Sequence, residues 1–281
     1  MNTATQHYMR LLDCATPSAE SKQLSVGQLI KTWRPTDPQP HVVREVRIHG
    51  TAALSVEFFG AGDSIVPSSF PVTRANSIFA ANPSSREGMS FFAECDCGCM
   101  VSRFQGNVNL GLLVLAGFHD FKDGSAHSNY FSREFFYCAE GPQAQPSGLE
   151  APITATGSRQ LDVGSLLGRW RNTNSSSLGI ATIEICEREQ SLGIRAYGVG
   201  ESGAVDWGET LGSAYAKDCF SSDAMAFSSG FDSRGIYCHL QANVKQGVLV
   251  VAYFTEFKDG SGRSNYFSRE FYYKENSNCG A

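Results

Sequence analysis

Apolar and polar residues alternate with a period of two along short runs such as Val43–Ile48 and Ala181–Cys186, the pattern of strands with one face buried. Other runs, Leu112–Ala116 and Val248–Ala252, are apolar on both faces, as in strands covered on both sides. Turn residues separate roughly seven or eight such runs in each half of the chain. Lys122-Asp-Gly-Ser125 and Lys258-Asp-Gly-Ser261 join aromatic strands, with Asp-Gly supplying the positive φ of a tight reversal. The pattern predicts an all-β chain of meandering antiparallel strands.

The chain repeats itself. Phe118–Tyr137 returns almost letter for letter as Phe254–Tyr273, 136 positions on, and Val26–Thr36 matches Val163–Thr173. This offset far exceeds a solenoid period, so each copy is a domain rather than a stacking unit. The expected organisation is an N-terminal extension (1–23), a first repeat (24–138), a Pro/Gly/Ser/Ala-rich linker (139–160), a second repeat (161–274) and a tail (275–281). Each repeat of about 110 residues is long enough to close eight strands into a barrel. The extension reads as a loosely ordered terminus, although its apolar patch Tyr8–Leu12 could dock one helical turn.

Composition changes this picture little. The 281 residues carry a formal net charge of −5 and no apolar run long enough for a membrane helix. No Lys/Arg stripe favours nucleic acid. Nine cysteines, unevenly spread between the copies, argue against a shared disulfide frame. With no secretory signal pattern, a cytoplasmic protein is expected.

Gly168-Arg-Trp170 resembles the Gly-x-Trp opening of lipocalin-like and avidin-like barrels, the calycins. The first copy departs from it, with Lys31-Thr-Trp33 lacking the glycine. The resemblance implies two calycin-like barrels, with Trp33 and Trp170 in ligand-binding walls. It also implies that Arg133 and Arg269, on a late strand of each copy, pack across those tryptophans.

Candidate chemistry is sparse. No phosphate loop, nucleophile elbow, zinc-protease helix or dinucleotide fingerprint is present, so no cofactor is expected. Asp120 and Glu134, repeated as Glu256 and Glu270, flank the conserved-looking hairpin of each copy. Turned into an aromatic interior, such carboxyls would have raised pKa values and act as proton donors. The copies also differ tellingly: His119 against Thr255, Gly117 against Tyr253, His127 against Arg263, and Asp206-Trp-Gly-Glu209 against the region of Phe70-Pro-Val-Thr73. His119 is thus a candidate acid–base group, and Trp207 and Tyr253 are candidate ligand walls. Cys95-Asp-Cys97-Gly-Cys99 suggests hairpin-turn thiols rather than a metal site, since no fourth ligand is fixed by spacing.

These features point to a cofactor-independent cyclase or isomerase acting on an apolar, metabolite-like molecule, using His119, Asp120, Glu134, Glu256 or Glu270. Two alternatives stay open: a non-catalytic carrier of a small hydrophobic ligand, and a structural tandem whose repeated hairpin forms an interface between halves or between the subunits of a homodimer.

Overall fold

A computed structural model describes residues 10, 13, 24–50, 53–62, 66–122, 127–140, 160–189, 191–233 and 235–275. The described chain is all-β. The first half supplies β1 (Thr32–Pro35), β2 (Val43–His49), β3 (Ser55–Gly60), β4 (Thr73–Arg74), β5 (Ser77–Ala80), β6 (Gly88–Asp96), β7 (Met100–Asn109), β8 (Leu112–Phe121) and β9 (Tyr130–Ala139). The second half supplies β10 (Gly168–Asn172), β11 (Ile180–Arg188), β12 (Ser191–Gly200), β13 (Gly203–Ala216), β14 (Ala224–Ser233), β15 (Ile236–Lys245), β16 (Val248–Phe257) and β17 (Tyr266–Lys274). No helix among the described residues is long and apolar enough to cross a membrane.

The strands form one large sheet with ring-like hydrogen bonding. From β10 to β17 each strand pairs antiparallel with the next, and β17 returns to β10 through Trp170↔Lys274 and Arg171↔Tyr273. In the first half β1 pairs with both β2 and β9, and successive hairpins run from β5 to β9. The β4–β5 segment crosses between sides: the Ala75 N–H donates to Leu54 O and the Asn76 N–H to Phe92 O. In the second half the single strand β13 does the same, pairing first with β12 and then with β14. Two one-residue parallel pairings, Ala216↔Tyr130 and Ala80↔Tyr266, join the halves. Both members of one pair lie 136 positions from their counterparts in the other, so the junction repeats the internal duplication.

Period-two alternation sorts side chains to two destinations. Leu113 and Leu115 of β8 join Trp33, Phe58 and Phe104 in a first-half core, while Leu249, Val251 and Tyr253 of β16 join Trp170 and Ile194 in a second. The opposite faces meet across the halves. Phe118 packs edge-on to Tyr215 at 4.9 Å, and Phe254 edge-on to Phe79 at 5.0 Å. That second covered face is why these two strands are apolar throughout. Each tryptophan is anchored by its indole N–H, from Trp33 to Leu29 O (3.1 Å) and from Trp170 to Leu166 O (2.8 Å).

One turn differs from expectation. The Lys258-Asp-Gly-Ser261 sequence does not make a two-residue reversal, because β16 ends at Phe257 and β17 begins at Tyr266. The wider loop is pinned by Asn265, whose side-chain oxygen accepts the Phe257 N–H at 3.0 Å. Asn129 receives the Phe121 N–H in the same way in the first half, where residues 123–126 lie outside the described set. Residues 141–159 of the linker and the C-terminal tail beyond Glu275 also lie outside it, as does the extension apart from Arg10 and Asp13, while Ala139, expected to open the linker, ends β9.

Candidate functional site

The proposed acids occupy structural settings. Glu134 on β9 accepts three backbone N–H groups, from His41 (2.9 Å), Val42 (3.2 Å) and Val43 (2.9 Å), tying the start of β2 to β9. Burial raises its pKa, and those three donors oppose the rise. Glu270 on β17 holds the corresponding turn, accepting from Asn172 Nδ2 (2.7 Å), the Tyr272 hydroxyl (3.1 Å) and the Ser177 hydroxyl. Asp120 and Glu256 instead face the other half. Asp120 pairs with Arg103 and accepts from Asn129 Nδ2 (3.0 Å) and Tyr215 OH (3.3 Å), while Glu256 accepts from the Ser77 hydroxyl. Burial raises the Asp120 pKa against the pull of Arg103.

His119 is fully buried in the first half, with Nδ1 2.9 Å from Ser102 Oγ and Nε2 3.0 Å from Ser132 Oγ. One nitrogen donates and the other accepts, as a neutral imidazole requires. The ring stacks on Tyr130 at 4.3 Å. Gly117 is needed here, because a Cβ would come within 2.5 Å of His119 Nε2 and 2.6 Å of Ser132 Oγ. Burial pushes the His119 pKa down to about 3. A base this weak is almost entirely unprotonated at neutral pH and has little drive to take a proton.

The two arginines are not stacked on the tryptophans as the calycin resemblance implies. Lys31 lies over Trp33 (5.3 Å) and Lys274 over Trp170 (5.4 Å), whereas Arg133 and Arg269 lie over Phe131 and Phe267 between the halves. Both arginines sit on outward faces of their strands, whereas the tryptophans point inward.

The most developed constellation is in the second half, around a residue that sequence reasoning passed over. Arg10 is fully buried, with its guanidinium carbon 5.5 Å from the Trp207 ring, 5.0 Å from Tyr253 and 5.2 Å from Tyr266. It forms an ion pair with buried Asp13 at 3.2 Å and donates to Thr255 Oγ1. Asp13 also receives the Tyr266 hydroxyl, and its carbonyl accepts from Arg263, which pairs in turn with Asp259. Arg10 and Asp13 are also hydrogen-bonded to each other through their backbones. The Asp13 N–H donates to Arg10 O (3.0 Å), and the Arg10 N–H donates to the Asp13 carboxylate (3.1 Å). Burial works against the guanidinium charge, but Tyr266 and Asp13 outweigh it and hold the Arg10 pKa well above its ordinary value.

Three positions at which the repeats differ converge on this pair: Tyr253, Thr255 and Arg263 all touch Arg10 or Asp13. Trp207 joins them and packs edge-on to Phe231 at 5.3 Å. The signal available in the sequence was the set of departures between copies, and their shared partner was invisible because it lies in the unrepeated extension.

The cysteine triplet spans a hairpin turn between β6 and β7. Cys95 is buried, Cys97 half-buried and Cys99 exposed. Burial raises the Cys95 thiol to about 12 and the Cys97 thiol to about 11. No protein-family model matches the chain, and no curated protein matches it.

Proposed function

We propose that the chain is a non-catalytic binding protein built as two calycin-like barrels, residues 24–138 and 161–274, and that the second barrel recognises a cationic group. Arg10 is the occupant of that site within the chain. The observation that carries this reading is the enclosure of the Arg10 guanidinium by Trp207, Tyr253 and Tyr266, with the Asp13 carboxylate on its flank. Aromatic faces and one carboxylate are the chemistry that selects guanidinium and alkylammonium groups over neutral ones. Trp207 is only half-buried, so the cage borders solvent on one side.

A cyclase or isomerase would need its acid–base groups on one substrate. Glu134 and Glu270 are instead engaged by turns, Asp120 and Glu256 by the opposite half, and His119 by two serines. This distribution supports binding over turnover.

The test uses the full chain with Arg10→Ala, titrated calorimetrically with methylguanidinium or agmatine. Binding at roughly millimolar Kd is expected in the variant. Adding Trp207→Ala should abolish it, and the wild type should bind far more weakly because Arg10 competes. A folded Arg10→Ala protein that ignores both cations overturns the reading.

A further inference from the structure

Away from the cage, a small cavity of about 10 Å³ lies where the two halves meet. It is lined by the duplicated pairs Gln105 and Gln241, Arg133 and Arg269, and Phe131 and Phe267. Both guanidiniums are held in a largely buried space. Arg269 donates to Asn107 Oδ1 at 2.8 Å, but Nε of Arg133 and Nε of Arg269 are buried without a hydrogen-bond partner. The side-chain nitrogens of Gln105 and Gln241 are buried without partners too. Gln241 is unpartnered at both ends of its amide, as is the Asn243 side-chain oxygen, so the Gln241 amide is free to turn its NH₂ inward. Among the described residues no carboxylate lines the cavity.

Two cations facing one buried space with surplus donors are an unfavourable arrangement unless a counter-charge lies between them. Arginine does not escape by losing its proton, since its pKa stays far above neutrality. Burial and the neighbouring Arg269 lower the Arg133 pKa only to about 10. The small volume favours a monatomic anion over a bulkier oxyanion.

We infer that this cavity is a halide site, binding one chloride between Arg133 and Arg269 with the Gln105 and Gln241 amides as further donors. The duplication explains its origin: one arginine and one glutamine from each repeat are brought face to face by the packing of Phe118 against Tyr215 and of Phe254 against Phe79. Neither half holds the site alone.

Two measurements test it on the full chain. In crystals grown with sodium bromide, an anomalous peak should lie between the two guanidinium groups. Thermal unfolding at fixed ionic strength should show Tm rising by roughly 2–4 °C as chloride replaces gluconate, and saturating as a binding site does. The gain should be lost in Arg133→Gln and in Arg269→Gln. A cavity without bromide density, or a chloride response that is unsaturable and equal in the variants, overturns the assignment. If either variant fails to fold, the bromide map on the wild type decides alone.

Discussion

His119 illustrates how one side chain sets a pH response. Its pKa is pushed down to about 3 in the folded chain by burial, against about 6.5 when unfolded. Between these values the unfolded state binds more protons, so stability is full above pH 6.5 and falls as pH drops towards 3. The limiting slope for one such histidine is about 1.4 kcal/mol per pH unit. His239, held near 4 chiefly by burial, adds a loss of the same sign. Urea midpoints between pH 7 and 4 should therefore fall steeply in the wild type and less steeply in His119→Gln, with no such difference above pH 7. At the thiols, burial and a raised pKa both suppress the reactive thiolate of Cys95 and Cys97. Under native conditions a disulfide reagent should modify exposed Cys99 at least about tenfold faster than Cys95, as peptide mapping after timed quenching would show.

Elements are tied together by the two glutamates first considered as acids. Glu134 gathers the N–H groups that open β2, and Glu270 gathers the turn between β10 and β11. Removing Glu134 leaves up to three backbone donors unsatisfied, so Glu134→Ala should cost about 1–3 kcal/mol by chemical denaturation, and Glu134→Gln distinctly less because an amide oxygen still accepts. Hydrogen exchange at Val42 and Val43 would accelerate selectively in the alanine variant. The all-β character, the strand runs and their hairpin order were legible in the sequence because a strand's period of two is a local property. The roles of Glu134 and Glu270 were not, because a carboxylate on a strand looks the same whether it faces a substrate or a backbone loop some ninety positions away. Arg10 was still less legible. A short charged and apolar terminus has no period to interpret, and its partners Trp207, Tyr253, Thr255, Arg263 and Tyr266 lie about 200 residues or more further along the chain. The differences between the two copies pointed at four of those partners, Trp207, Tyr253, Thr255 and Arg263, all the same, since drift in a duplicated chain has no reason to cluster around one guanidinium.

At the scale of the whole molecule, the outer faces of β8 and β16 bind the halves together. Phe118 meets Tyr215 and Phe131, Phe254 meets Phe79 and Phe267, and Asp120 reaches Tyr215 while Glu256 reaches Ser77. The aromatic contacts come in two equivalent sets, so the junction should behave as one cooperative surface. Phe254→Ala removes a buried ring from one set at a cost of about 3–5 kcal/mol, and Phe118→Ala does the same in the other. Neither change touches the cores around Trp33 and Trp170. Calorimetry should show a single transition for the wild type, with calorimetric and van't Hoff enthalpies in agreement. The double variant Phe118→Ala/Phe254→Ala should unfold in two transitions, the first-half and second-half cores melting separately. Because the double variant opens the space between Arg133 and Arg269, its Tm should also stop responding to chloride. A double variant that melts at lower temperature but still in one two-state transition would mean that the strand pairings Ala216↔Tyr130 and Ala80↔Tyr266, rather than the aromatic contacts, couple the halves.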